Sequence, residues 1–270
     1  MFDEQNGVVE IADPADERLA DFRNLTDADA RPDRRGIVIA EGVNVVQRLL
    51  GSGYRSRAIV GVAGKLAELA PVLTQRTEPR CPVYRVDKWT LSELVGFRVT
   101  RGVLASADRP APVAAADLLA GGSRFMVCEA INDFENLGSI FRNCAAFGVH
   151  GVLLDPRCAD PLYRRSVRVS MGNVFGVGFA VLPGSWPDSL RILSDHGVEL
   201  LALTPRPGAE PLRAVSPPAR WAVLLGAEGP GLTEAVLDRA DRLVRIPMAA
   251  GVDSLNVATA GAIALAQLTG

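Results

Sequence analysis

Short, continuously apolar segments alternate with helical segments through the second half of this 270-residue chain. A strand that is apolar at every position must be covered on both faces, which is typical of parallel strands between two layers of helices. The predicted strands span residues 125–130, 151–155, 199–204, 221–226 and 243–247. The predicted helices span residues 137–147, 161–169, 186–195, 231–239 and 254–267. The pattern therefore predicts an α/β domain with a mostly parallel sheet, whose ligand crevice lies at the carboxyl ends of the strands.

The first half of the chain carries a smaller α/β pattern. Residues 1–13 resemble a frayed end, and a helix with a capping aspartate is expected from Asp13 onward. Strands are then predicted at residues 36–42, 56–62, 82–86 and 102–107. The intervening helices are predicted at residues 44–53, 64–73 and 91–96.

A linker is predicted between the two halves. Residues 107–122 contain Pro110 and Pro112 among alanines and end on two glycines. We place the domain boundary near residue 115, which gives domains of residues 1–114 and 115–270.

Composition argues against several classes of protein. The apolar runs are broken well short of the ~20 residues that a membrane span needs, and the acidic start does not resemble a secretory signal. We therefore expect a cytoplasmic protein without a membrane segment. A zinc site or a histidine-based triad is not expected, because the chain has two histidines and no CxxC pair. The four cysteines are predicted to be reduced and structural: Cys81, Cys128, Cys144 and Cys158.

The first of three motifs follows the strand predicted at residues 125–130. The polar or small members of this otherwise apolar helix start are Asn136, Gly138, Arg142 and Asn143. Gly138 and Arg142 are four residues apart and so share a helical face. Arginine is costly to bury unpaired, so Arg142 either forms a structural salt bridge or lines a site.

The second motif is a glycine-rich passage from strand to helix. Gly226 is followed by Glu228, Gly229 and Gly231, and glycines allow a close approach of backbone to ligand. The spacing matches neither a P-loop nor a dinucleotide fingerprint. A tight turn without a ligand remains an alternative.

The third motif begins where the last strand ends, at Ile246 and Pro247. Ser254, Leu255 and Asn256 then open a long alanine-rich helix. Asp253 or Ser254 is expected to cap that helix. Asn256 has no evident structural reason to stand on an apolar helix.

Together, and in this order, the three motifs resemble those of the SpoU/TrmH family of RNA ribose 2′-O-methyltransferases. The family pattern is N-x-G-x-x-x-R, then G-x-E-G-x-G-L, then I-P-M followed by S-L-N and an apolar helix. Residues 160–172 resemble an arginine-containing family segment, and residues 41–50 resemble an appended RNA-binding domain of ribosomal-protein type. This organisation is similar to that of the thiostrepton-resistance type. Phe134 and Ala250 depart from the pattern, where proline and glycine are common.

The resemblance implies a fold and an activity. The C-terminal domain is expected to be a parallel-sheet α/β domain with a trefoil knot, and the smaller N-terminal α/β domain is expected to bind the RNA substrate. The protein is expected to be a homodimer that uses S-adenosylmethionine, and no metal, to methylate a ribose 2′-hydroxyl, with ribosomal RNA as the favoured target.

The resemblance also implies site residues. Arg142 matches the catalytic arginine, which we expect to bind phosphate and stabilise a developing alkoxide rather than act as a base, because a guanidinium keeps its proton in proteins. Further catalytic or orienting residues are expected to be Asn136, Glu228, Ser254 and Asn256, with Glu228 pairing with Asn136 or Arg142. The cofactor is expected to contact Thr204, Gly226, Ile246, Met248 and Leu255.

A local group of arginines is a candidate RNA contact. Arg164 and Arg168 share a helical face, and the full group is Arg157, Arg164, Arg165 and Arg168. The alternative is a solvated face without a ligand. Three other readings of the chain stay open: the same chemistry on transfer RNA, a non-catalytic RNA-binding protein of this fold, and a dinucleotide- or phosphate-binding enzyme.

Overall fold

The computed structural model describes residues 7–26, 36–75 and 81–270, and the chain divides into two compact units. Unit 1 comprises Met1–Ala111 together with Leu162–Gly176, and unit 2 comprises Pro112–Pro161 together with Val177–Gly270. The prediction of two contiguous domains took no account of the segment Leu162–Gly176. By its packing, this segment forms part of unit 1.

Unit 1 is built on a five-stranded mixed sheet with the order β1-β4-β3-β5-β2. Strands β1, β4 and β3 are parallel, and β5 runs antiparallel to both β3 and β2. The strands are β1 (Val8–Glu10), β2 (Ile37–Glu41), β3 (Ser56–Gly61), β4 (Val83–Arg85) and β5 (Val103–Asp108). Its helices, numbered along the whole chain, are α1 (Val43–Leu50), α2 (Ala63–Gln75), α3 (Lys88–Val95) and α6 (Arg164–Val169).

One prediction near the start of the chain is wrong. Residues 8–10 are not frayed but form β1, which pairs with β4. The predicted helix is present as a 3-10 helix, Glu17–Phe22, and it is capped by an aspartate, Asp16. Residues 1–6 of the predicted frayed end lie outside the described residues.

Unit 2 is built on a seven-stranded sheet in which every neighbouring pair is parallel, with the order β10-β12-β9-β11-β6-β7-β8. The strands are β6 (Arg124–Cys128), β7 (Gly151–Leu154), β8 (Gly178–Val181), β9 (Glu199–Leu203), β10 (Glu210–Pro211), β11 (Trp221–Leu225) and β12 (Arg242–Arg245). The prediction of a parallel α/β sheet is confirmed, and β8 and β10 are two strands that it missed.

Helices cover the sheet of unit 2. They are α4 (Ala115–Ala120), α5 (Phe134–Ala146), α7 (Arg191–Asp195), α8 (Glu234–Leu237) and α9 (Val257–Thr269). The last of these approaches the central strand closely, because a Cβ on Gly261 would come within 2.9 Å of Leu225. Among the described residues, no helix combines the length and the apolar character required to cross a membrane.

Helix α4 lies inside the predicted linker. Leu119 is fully buried, and the adjacent Leu118 packs so tightly that a Cβ on Gly151 or Gly178 would meet it within 2.7 Å. The prolines misled the prediction because they precede the helix rather than interrupt it. Burial of the two leucines against the sheet stabilises this short helix.

Candidate functional site

A cavity of about 640 Å³ opens at the carboxyl ends of β9, β11 and β12 in unit 2. The predicted cofactor residues Thr204, Gly226, Ile246, Met248 and Leu255 all line it. Residues just after three neighbouring parallel strands thus meet at one edge of the sheet, as expected for a ligand crevice.

The loop after β11 shapes one wall of this cavity. It turns back on itself through an isolated antiparallel bridge between Ala227 and Gly231, and Gly229 and Gly231 have positive φ values of 85° and 69°. A Cβ on Gly226 would lie 2.5 Å from the carbonyl carbon of Gly231. The close approach of backbone to backbone therefore requires glycine at position 226.

Asn256 joins the three sequence motifs through its side-chain amide. Its Nδ2 donates to Oδ1 of Asn136 and to Oε1 of Glu228, each over 2.7 Å. Its Oδ1 accepts from the backbone nitrogens of Ala258 and Thr259, at 3.0 and 3.1 Å. One side chain therefore fixes both the motif contacts and the start of α9.

These contacts correct two predictions. The N-cap of α9 is Asn256, not Asp253 or Ser254. Capping is thus the structural reason for an asparagine at this position, which the sequence pattern did not reveal. Ser254 instead donates to Asp253 over 3.2 Å. Glu228 accepts from Asn256 and, in the described part of the chain, not from Asn136 or Arg142.

Helix α5 carries the first motif and is held against α9. Asp133 caps α5 by accepting from the backbone nitrogens of Glu135 and Asn136. Nδ2 of Asn143 donates to the backbone oxygen of Ala258 over 2.8 Å. Asn143 therefore joins α5 to α9, a contact that the sequence pattern did not predict for this member of the first motif.

Arg142 is exposed on α5. Within the described ranges it forms no hydrogen bond or ion pair, and it does not line the cavity. The described residues therefore give Arg142 no structural salt bridge, which was the alternative to a role at a site. Its guanidinium is available to a ligand, and its role stays a prediction.

Two buried carboxylates at the ends of β6 and β7 were missed. Asp155 accepts from Nε of Arg157 over 2.8 Å, and Glu129 accepts from the same guanidinium over 3.3 Å. The hydrogen bond that Arg157 donates to Asp155 raises the pKa of Arg157. Arg157, proposed from sequence as an RNA contact, thus first neutralises two carboxylates, although 56% of its side chain remains exposed. The signal for Glu129 was an acidic residue directly after the apolar run of residues 125–128.

The other three arginines of the predicted RNA-contact group lie on α6, in unit 1. Arg164 forms a largely buried ion pair of 2.9 Å with Glu41, and its guanidinium stacks 4.8 Å from the centroid of Phe97. Arg165 is exposed and Arg168 is half-buried, and neither has a salt bridge among the described residues. These two are the cations of the group that remain available to phosphate.

Burial disfavours the thiolate form of three of the four cysteines. It raises the pKa of Cys158 to about 12 and also raises the pKa of Cys128 and Cys144. None of the four cysteines forms a disulfide bond. In the described part of the chain, no group of three His, Cys, Asp or Glu side chains is arranged to hold a metal ion.

Comparison with known proteins shows which family this chain resembles. Residues 123–266 match the SpoU rRNA Methylase family. An uncharacterised tRNA/rRNA methyltransferase of Mycobacterium tuberculosis is 47% identical over 269 residues, covering 97% of this chain and 92% of the relative. The AdoMet-bound rRNA methyltransferase of Sinorhizobium meliloti is 25% identical, with a TM-score of 0.79 and 97% of each chain covered. AviRb of Streptomyces viridochromogenes, a SpoU methyltransferase solved with AdoMet, shares the fold at a TM-score of 0.76 and 21% identity, covering 93% of this chain and 96% of its own.

Proposed function

The chain belongs to the SpoU rRNA methylase family, and from this premise we propose that it methylates a ribose 2′-hydroxyl of RNA. It is an RNA methyltransferase that uses S-adenosylmethionine. The proposal concerns the atom that is methylated. The observation that carries it is the hydrogen-bonded group of Asn136, Asn256 and Glu228, of which the last two line the cavity.

The cavity suits the cofactor in size and chemistry. Its volume of about 640 Å³ is in the ordinary range for small-molecule sites. In the described part of the chain, the backbone N–H groups of Met248 and Leu255 donate no hydrogen bond, which leaves donors at the wall for a nucleoside. The carboxylate of Glu228 adds negative charge at the wall, which favours a cationic sulfonium.

The chemistry that the site must support is an in-line displacement. Bound S-adenosylmethionine supplies an electrophilic methyl group on its sulfonium. Holding a weak nucleophile such as a ribose hydroxyl in line contributes up to roughly 7–11 kcal/mol toward the barrier. Asn136 and Asn256 hold each other in place through their hydrogen bond and orient the ribose. Ser254, at the cavity wall, also orients the ribose.

Arg142 serves the same step through its charge. A guanidinium that stays protonated is a poor general base, but it binds phosphate and stabilises a developing alkoxide. Methylation of a base carbon by way of a thiolate is disfavoured, because burial keeps Cys158 protonated with a pKa of about 12.

The finer assignments form part of the same proposal. We propose a trefoil knot in unit 2, a homodimer, a cytoplasmic location and RNA recognition by unit 1, which would have the fold of an RNA-binding ribosomal protein. Ribosomal RNA is the proposed target because the family and the S. meliloti structure are named for it, and transfer RNA is the alternative. Ribose chemistry carries no base specificity, so a separate recognition surface is needed.

The experiment is transfer of a tritiated methyl group from labelled S-adenosylmethionine to total RNA, followed by alkaline hydrolysis. A 2′-O-methyl group blocks cleavage of its phosphodiester, so the label should appear in alkali-stable dinucleotides. Label in mononucleotides would mean base methylation and would refute the proposal. Separating ribosomal from transfer RNA before hydrolysis decides between the two targets.

A non-catalytic RNA-binding protein predicts a different result. It would bind labelled RNA but transfer no label to any RNA fraction. Binding of S-adenosylhomocysteine without transfer to total RNA would favour that alternative.

A further inference from the structure

Glu129 is a buried carboxylate that no sequence motif includes. It follows β6, and only 2% of its side chain is exposed. Oε1 accepts from Nε1 of Trp186 over 2.9 Å and from Oγ1 of Thr233 over 2.8 Å, and Oε2 accepts from the backbone nitrogen of Thr233 over 2.9 Å. A buried charge with this many donors is fully satisfied and strongly oriented.

The same residue holds both ends of the loop that shapes the cavity. At the start of the loop, the backbone N–H of Glu129 donates to the oxygen of Leu225 over 2.8 Å. At its end, the carboxylate holds Thr233, which is the N-cap of α8. The residues between these two points, Gly226 to Leu232, all line the cavity, whereas Glu129 and Thr233 do not.

We propose that Glu129 is a positioning residue for cofactor binding, acting through Thr233 on the loop from Gly226 to Leu232. The proposal rests on the proposed function only in taking this cavity as the S-adenosylmethionine site. It holds whichever atom of the RNA is methylated.

The carboxylate is needed because all of its partners are donors. In Glu129→Gln an amide N–H₂ replaces one acceptor oxygen, so a donor would face either Thr233 or Trp186. Losing one hydrogen bond to a buried charge corresponds to about a tenfold change in an equilibrium constant. The loop end at Thr233 would then be free to move while the strand end at Leu225 stays bonded.

Three variants separate positioning from a general structural role. Glu129→Gln removes the charge and replaces one acceptor oxygen, Thr233→Val removes only the hydroxyl donor at the end of the loop, and Trp186→Phe removes a donor that lies outside the loop from Gly226 to Leu232. S-adenosylhomocysteine affinity is measured by titration calorimetry on each folded variant. We expect the Kd to rise at least about tenfold in Glu129→Gln, severalfold in Thr233→Val, and by less than twofold in Trp186→Phe.

A second measurement needs no ligand. Hydrogen exchange of the peptide covering Gly229 to Thr233 should be about tenfold faster in Glu129→Gln than in the wild type, with exchange in β7 unchanged. A lower melting temperature with unchanged Kd and unchanged loop exchange would make Glu129 purely structural and overturn the proposal. Equal Kd increases in Thr233→Val and Trp186→Phe would also overturn it. Wild-type protein that fails to bind S-adenosylhomocysteine would instead refute the cofactor site, so the two failures are distinguishable.

Discussion

Asn256 and Asn136, 120 residues apart in the chain, are joined by a hydrogen bond of 2.7 Å from Nδ2 of the first to Oδ1 of the second. The bond connects the N-cap of α9 to the first turn of α5, and Asn143 adds a second connection between the same two helices. Because Asn256 is both cap and bridge, its two roles can be separated by substitution.

Asn256→Asp keeps the cap and removes the bridge. Aspartate caps helices about as well as asparagine, but it cannot donate to Asn136 and places a like charge beside Glu228. We expect the free energy of unfolding to change by less than about 1 kcal/mol and the methyl-transfer rate to fall about tenfold or more. Denaturant unfolding and single-turnover transfer check the two parts. A rate equal to that of the wild type would contradict a role for the bridge in the reaction.

Gly226→Ala should destroy the shape of the cavity. The new methyl group would lie 2.5 Å from the carbonyl carbon of Gly231, a backbone atom that cannot move aside cheaply. We expect S-adenosylhomocysteine binding to weaken at least about tenfold, as measured by calorimetry. Gly121→Ala is the control, because its Cβ would meet nothing closer than 3.8 Å. Equal affinities for the two variants would refute this account of the loop.

Arg142→Ala should retain cofactor affinity and lose methyl transfer. The side chain is exposed and does not line the cavity, so its loss should leave the cofactor wall intact. Removing a charge that stabilises the transition state costs on the order of 10²–10³ in rate. Arg191→Ala, at a side chain 81% exposed, is the control for the loss of one surface charge. Turnover by Arg142→Ala within twofold of the control would remove Arg142 from the mechanism.

Arg164→Met should destabilise unit 1. The substitution leaves the carboxylate of Glu41, which is 4% exposed, without its partner, and a broken buried pair costs about 3 kcal/mol. Arg165→Met, the exposed neighbour, should change stability by less than about 0.5 kcal/mol. Thermal and denaturant unfolding measure both. The double variant Arg164→Met with Glu41→Gln should recover part of the lost free energy of unfolding. If the effects of the two single substitutions simply add, the two residues are not directly coupled.

Arg165→Gln combined with Arg168→Gln should reduce the salt dependence of RNA binding. Each lost phosphate contact lowers the slope of log affinity against log salt by about 0.7–0.9. Binding is measured by filter retention over a range of salt concentrations, with Arg191→Gln as the control. A slope unchanged from that of the control would favour the alternative of a solvated face.

The parallel sheet of unit 2 could be predicted because its strands are apolar at every position. All of β11 is buried, which leaves a continuous run of apolar letters in the sequence. Strand β1 could not be predicted in the same way, because only Val8 of its three residues is buried and its pairing with β4 is a tertiary event. Helix α4 could not be predicted from its two leucines, because the surrounding alanines and prolines are typical of a linker.

The candidate site was predictable where its chemistry is local to a motif. The positions of Gly226 and Glu228 at the cavity follow from a strand that ends in a glycine-rich loop. The cap at Asn256 was not predictable, because Asp253 and Ser254 have equal local propensity and the choice depends on the contact with Asn136. The partners of Glu129 could not be predicted, because Trp186 and Thr233 are distant from it in sequence.

The segment Leu162–Gly176 lies within the stretch that matches the family, yet it packs as part of unit 1. A single cut between the halves of this chain therefore cannot yield two complete folding units. Joining residues 115–270 to a foreign domain would leave Arg164 without Glu41 and expose the face of α6 that packs against β2. An exchange of unit 1 would therefore have to replace Met1–Ala111 and Leu162–Gly176 together.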